Sequence, residues 1–326
     1  MPPHNAQQAK EGRKRFVRPS KASKFSLTER NLALLAYVSQ HRLIASDDLA
    51  KLDGGSEQNA KRELRRLWEN GYVLRPAAQL MTAAITGPQP IVYGLSNKGA
   101  RLLRDNGHLI PDVDWSENTQ RAGTRFIDHE VARARFMSSI EVAVRNRSDI
   151  RLLRADDIIA NAPEKTRTSK TPLKWSARVP DKGREVPSSI VADDLFALVF
   201  PDQTASYFLV EIDRGQMPVR RHGDSSMEIV DGKKRTRTHF KHKLATYYHG
   251  WRQRHHVQQF GIEQVRVITV TTSQQRIETM LDALREVTEG KGSDLFLFGH
   301  EAELSSADVV TAGWISGRGA IVRLDN

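Results

Sequence analysis

Acidic side chains at the ends of two apolar runs, followed by a lysine, are the residues here with types and spacing suited to phosphate chemistry. Asp193 and Asp194 lie in "IVADDLFALVF", Glu211 and Asp213 end "YFLVEIDRG", and Lys243 stands in "HFKHKLATYYHGW". The apolar runs read as β-strands. Side chains alternate along a strand, so Glu211 and Asp213 share a face while Asp193 and Asp194 take opposite ones. If the two strands pair as a hairpin, Asp193 or Asp194 converges with Glu211 and Asp213 at one end of a sheet. Three converging carboxylates make an all-oxygen site suited to Mg²⁺ or Mn²⁺. Such an ion can activate water and stabilise charge on a phosphate undergoing displacement. Lys243 and Tyr247 are four apart and share a helix face, so Lys243 can hold a water or pair with Glu211. Arg214 can reach a phosphate or pair with Asp213. The competing reading is structural: Glu211 and Asp213 are salt-bridged to Arg214 and Lys243, with no metal.

Composition favours a phosphate-bearing partner. The 326 residues carry a net charge of +11 and a pI near 9.9, so nucleic acid is expected ahead of an anionic membrane surface, and the element order of residues 25–105 makes double-stranded DNA the expected partner. The basic residues cluster in an N-terminal tail (Lys10, Arg13, Lys14, Arg15, Arg18, Lys21, Lys24) and again from Arg214 to Arg254. Cysteine is absent, which excludes disulfides, Cys-ligated zinc and Cys nucleophiles. A hydrophobic fraction of 39%, with no apolar run of membrane-spanning length and no apolar leader, predicts a cytoplasmic protein without a membrane partner.

The elements fall into two domains. Residues 1–24 are polar and basic and are expected as a disordered tail. From 25 to 105 the order is helix, helix, helix, strand, loop, strand, helix. The first helix is expected to start at a Ser26–Glu29 capping box, and "IASDDLAKL" to form the second, capped by Ser46 or Asp47. The third, "SEQNAKRELRRLWENG", puts Ala60, Leu64, Leu67 and Trp68 on one face and Asn59, Lys61, Arg62, Arg65 and Arg66 on the other. This order resembles a winged helix-turn-helix, whose third helix enters the major groove. Residues 106–123 are expected as a linker. The remainder, 124–326, reads as α/β with a mixed sheet flanked by helices. There "DIRLLRADDII" is a strand plus turn, 161–187 a loop or exposed hairpin, and "SSIVADDLFALVF" a single strand. His239, His242, His255 and His256 are expected as solvated, DNA-facing residues, and Trp175 as packing or as a base-stacking residue. Tyr247 and Tyr248 are read as core aromatics.

The order "ADDLFAL", "FLVEIDRG", "KHKLATYY", "VRVITVTT" resembles the plasmid replication-relaxation family. That resemblance implies a winged helix followed by a PD-(D/E)xK restriction-endonuclease-like domain, associated with mobile elements and similar to metal-dependent mobilisation relaxases. It implies action at a plasmid or integrative-element origin in mobilisation, relaxation or replication, with other transfer or replication proteins as further partners. Asp193 matches the Asp of the "PD" element, with Ala192 where proline stands. Glu211 matches the first acid of the E-x-K element, and Asp213 occupies the lysine position. The lysine then comes from the helix, as Lys243. Glu130 matches an acid contributed by the first helix, with His129 beside it a weaker candidate. The implied chemistry is Mg²⁺- or Mn²⁺-dependent phosphodiester cleavage. The alternative is a non-catalytic regulator or accessory factor with a degenerate nuclease fold.

Overall fold

The computed structural model describes residues 16–20, 25–81, 87, 89–181, 183–220, 227–230, 233–236 and 239–325, with backbone alone for 227–230, 233–236 and 306. The chain divides into two compact units, Met1–Val142 and Ala143–Asn326.

The first unit runs α1 (Glu29–His41), β1 (Leu43–Ala45), α2 (Ser46–Asp53), α3 (Glu57–Glu69), β2 (Val73–Leu74), β3 (Val92–Leu95) and α4 (Asn97–Asp105), an order that fits a winged helix. The three strands form an antiparallel sheet with β3 central. Leu34, Leu35 and Val38 of α1 pack with Leu49, Leu64, Leu67, Trp68 and Leu103 in one buried cluster. The capping box sits later than expected. Thr28 accepts from Asn31 N while Asn31 reaches back to Thr28 N, so Asn31 plays the part assigned to a glutamate. Ser46 is the first residue of α2 and makes no cap bond; its N-cap is Ala45, the end of a short strand that local pattern did not reveal.

Residues 106–123 are not a bare linker. They carry α5 (Trp115–Gln120), and Trp115 joins the α1–α4 core. Close approach explains this: a Cβ on Gly94 of β3 would lie 2.6 Å from the Thr119 side chain, so only glycine there admits α5. The long α6 (Thr124–Arg145) follows, and the division between units falls inside it rather than before it. Residues 1–15 and 21–24 of the basic tail, and 82–86 and 88 of the β2–β3 connection, lie outside the described residues. Arg18 of the tail is described, and its guanidinium donates to Val73 O at 3.4 Å.

The second unit is built on a seven-stranded mixed sheet. Its strands are β4 (Arg151–Arg154), β7 (Asp194–Val199), β8 (Ala205–Ile212), β11 (Arg266–Thr271), β12 (Phe296–His300), β13 (Trp314–Ser316) and β14 (Ile321–Val322), in that spatial order. β4, β7 and β8 are antiparallel neighbours, whereas β8, β11 and β12 run parallel. Parallel neighbours need crossovers. These are α9 (Phe240–Arg252) with α10 (His255–Phe260), and then α11 (Gln274–Val287). Leu209 of β8, Val267 of β11, Leu244 and Tyr247 of α9, and Ile277, Met280 and Leu284 of α11 share one core cluster.

Residues 161–187 hold most of the expected hairpin, β5 (Lys174–Asp181) and β6 (Arg184–Val191), preceded by a short helix, α8 (Glu164–Arg167). Two local expectations are corrected. The turn after β4 is a helix, α7 (Ala155–Ala160). "SSIVADDLFALVF" is two strands, because Asp193 leaves the ladder between β6 and β7 and spends a carboxylate oxygen on the backbone of β8. A second small hairpin joins β9 (Met227–Val230) to β10 (Lys233–Thr236), ahead of α9, and α12 (Glu301–Ser306) follows β12.

Candidate functional site

Two places bring the sequence's candidate residues together, one in each unit. In the first unit α3 buries Ala60, Leu64, Leu67 and Trp68, which turns Lys61, Arg62, Arg65 and Arg66 to solvent and leaves Asn59 half-buried. Each cation has an acidic neighbour on the same helix. Lys61 pairs with Glu57, Arg65 with Glu69 at 2.8 Å, and Arg66 and Arg62 with Glu63 at 3.2 and 3.7 Å. Exposed pairs between neighbouring turns are weak, on the order of 0.3–0.5 kcal/mol. A phosphate can therefore take these cations over at little cost.

In the second unit the site forms where the apolar face of β8 ends. Asp194 is in register with Val210, which sets Asp193 beside Glu211. Asp193 N donates to Val210 O at 2.9 Å, and Asp193 Oδ2 accepts from Ile212 N at 2.7 Å. Asp193 rather than Asp194 acts electrostatically on Glu211, and both Asp193 and Asp213 act on Lys243. Asp194 instead accepts from its neighbour Leu195 N.

Glu211 is 1% exposed. Lys243 Nζ lies 2.6 Å from its Oε2, and Tyr247 OH donates to its Oε1 at 2.6 Å. The helical spacing of four brings both groups to one carboxylate. Tyr247 therefore packs as expected and also belongs to the site; its shared face with Lys243 was the available signal. Burial pushes the Glu211 carboxyl above its usual range, against the pull of Lys243, and Asp193 adds to the push. Burial works against the Lys243 ammonium, but Glu211 and Asp193 outweigh it and hold that group above its ordinary value. Burial, then Glu211, raises the Tyr247 phenol well above its usual value, so it stays a donor.

Asp213, which also acts on Lys243, has both oxygens engaged by other partners. Arg276 of α11 takes it in a two-pronged ion pair, with Nη2 to Oδ1 at 2.7 Å and Nε to Oδ2. Thr271 donates to Oδ2 at 2.6 Å. The same guanidinium bonds Met217 O, fastening the segment after β8 to α11. Arg214 faces Glu301 rather than Asp213. Glu130 lies in the first unit, where Arg133 pairs with it at 3.0 Å. Burial opposes ionisation of Glu130, but His129 and Arg133 hold its carboxyl below the usual range.

Trp175 packs, one of the two expected roles, and of the four histidines His256 is buried while His239, His242 and His255 are half-buried. His239 caps α9, and His242 contacts Ser188 Oγ at 2.9 Å. His255 meets the Trp175 ring edge-on and His256 stacks against it. Trp175 is fully buried and donates to Thr246 O at 3.1 Å. No base can reach it.

Among the described residues, no group of three or more His, Asp or Glu side chains could hold a metal ion. The expected three-acid set reduces to Asp193 and Glu211. Two carboxylates still suit Mg²⁺, which is usually held by one or two and completes its shell with water and phosphate oxygens. One buried polar atom beside them lacks a protein partner. Thr269 Oγ1 is unpaired, and Thr269 is in parallel register with Glu211 on β11. An ion bound here must compete with Lys243 for Glu211 Oε2.

A family model described as replication-relaxation matches residues 35–265. No curated protein and no solved structure matches the chain. Among the described residues, no helix is long and apolar enough to cross a membrane.

Proposed function

The chain belongs to the replication-relaxation family, and from that premise we propose that it binds duplex DNA at the origin of a plasmid or integrative element and nicks it. In this reading the first unit holds the duplex, with α3 in the major groove and Lys61, Arg62, Arg65 and Arg66 on phosphates. The second unit resembles a PD-(D/E)xK nuclease, with Asp193 and Glu211 as its acids and Lys243 as its lysine.

The observation that carries the reading is the convergence of Asp193, Glu211 and Lys243 at the end of β8. Asp193 and Glu211 would hold Mg²⁺ or Mn²⁺. A bound ion of this kind polarises a phosphate and lowers the pKa of its water. Tyr247 fixes one oxygen of Glu211 and so sets the plane of the carboxylate. Lys243 remains cationic and offers its charge to a phosphate oxygen once Glu211 is otherwise engaged. The basic surround draws in the DNA backbone.

The test is a supercoiled plasmid carrying the element's origin, incubated with protein and Mg²⁺, Mn²⁺ or chelator. The expected product is open-circular DNA in the metal samples only. Tight duplex binding with no open circle under any condition would overturn nicking.

A second reading is a non-catalytic regulator or accessory factor. It is favoured by one observation: both Glu211 oxygens and both Asp213 oxygens already have protein partners. In that case the acids are structural, and the first unit carries the function.

A further inference from the structure

The chain has five tryptophans, and the fold buries four of them. Trp68, Trp115, Trp175 and Trp314 are between 0% and 9% exposed, whereas Trp251 is 37% exposed near the end of α9. A lone exposed apolar residue needs no explanation, but Trp251 is not alone. Its ring stacks against Tyr248, with centroids 6.4 Å apart and planes 30° apart. Tyr248 is half-buried against the core cluster, so it anchors the pair. Arg252 lies over the other aromatic, 5.8 Å from the Tyr248 centroid.

The charges of this segment add a second observation. Lys241 pairs with Glu286, Lys243 with Glu211 and Arg254 with Glu263. Arg252 has no carboxylate partner among the described residues. The surface is also held rigid. Gln253 accepts from Arg178 N at 3.1 Å and donates to Arg178 O at 2.8 Å, clamping the end of α9 to β5. Gly250 lets α9 press onto Trp175, where a Cβ would come 2.2 Å from the indole nitrogen.

We infer that Trp251, Tyr248 and Arg252 form a stacking surface for unpaired DNA, with Trp251 against a base and Arg252 at a neighbouring phosphate. An aromatic face beside a cation suits unpaired nucleotides, because every base offers a π-face once it leaves the duplex stack. A rigid platform loses little entropy on binding. The choice of DNA over RNA rests on the proposed action at a DNA origin. The surface does not depend on cleavage at Asp193 and Glu211, so its test is run with chelator present.

The experiment measures acrylamide quenching of tryptophan fluorescence, with and without a 20-residue oligothymidylate. Trp251 is the tryptophan a quencher reaches most readily, and the oligonucleotide protects it. Trp251→Ala weakens oligothymidylate binding on the order of tenfold, while Trp251→Phe retains most of it. Arg252→Gln lowers the slope of log affinity against log salt by about 0.7, one phosphate contact on a single strand. Binding of origin duplex stays unchanged in both Trp251 variants. The inference is overturned if Trp251→Ala binds oligothymidylate like the parent, or if the oligonucleotide leaves quenching unaltered. Tighter binding of oligouridylate overturns the assignment to DNA. Protection that rises with protein concentration alone marks the patch as a self-association surface and overturns it as well.

Discussion

The outer face of α3 and the end of β8 are both built from acid–base pairs, yet they differ in depth and reach. On α3 the partners are three or four residues apart, or adjacent in sequence, and the cations stand in solvent while the Glu63 and Glu69 side chains are only 14% and 11% exposed. At β8 the partners are 32 residues apart for Glu211–Lys243 and 63 for Asp213–Arg276, and the carboxylates are buried. Exposed pairs exchange easily and leave cations ready for another anion. Breaking a buried pair strands an uncompensated charge, a loss of about 3–5 kcal/mol. The same residue types therefore make an adaptable surface in one unit and a fixed cradle in the other.

The largest way to break this contrast is Arg276→Ala. It leaves Asp213 buried and unpaired and frees the segment at Met217, so urea unfolding should show a loss of about 3–5 kcal/mol. A double-mutant cycle with Asp213→Ala should give strong coupling. Near-additive losses would mean that the pair does not fasten α11 to β8. A smaller effect is expected from Tyr247→Phe, which removes only the hydroxyl and leaves Glu211 Oε1 without its donor. The expected loss is about 1–3 kcal/mol, and an unchanged unfolding midpoint would place the phenol elsewhere. Smallest in stability is Arg62→Ala with Arg66→Ala, expected within about 0.5 kcal/mol of the parent. Its effect appears in duplex binding instead, as lower affinity and a salt slope reduced by roughly two contacts. Unchanged binding would remove α3 from the interface.

The features legible in the sequence are those set by local periodicity. The buried and basic faces of α3, the apolar run of β8 and the Lys243–Tyr247 spacing on α9 are each fixed within one or two turns or along one strand. That one of Asp193 and Asp194 meets Glu211 follows from pairing two such strands, and the register selects Asp193. Long-range packing hid the rest. Nothing in "SQQRIETM" marks Arg276 as the partner of Asp213, because that pairing exists only once β8 and β11 lie parallel and α11 returns across them. Asp213 therefore read as a third acid of the site. Packing is one of the two roles read for Trp175, but its partners Gly250 and His256 lie far along the chain and are not legible locally. Between β6 and β7 apolar residues flank Asp193 and Asp194 on both sides, so the stretch reads as one strand, and the break appears where the Asp193 carboxylate accepts from Ile212 N.

Under the proposed function α3 would hold the duplex and Asp193, Glu211 and Lys243 would cut it. The most direct measurement is the rate at which supercoiled origin DNA becomes open-circular with Mn²⁺, at saturating protein, for the parent, Glu211→Gln and the Arg62→Ala, Arg66→Ala variant. The predicted result is a rate abolished in Glu211→Gln despite full DNA occupancy, and a rate near the parent's in the arginine variant once saturation restores occupancy. Nicking by Glu211→Gln at the parent's rate would contradict it.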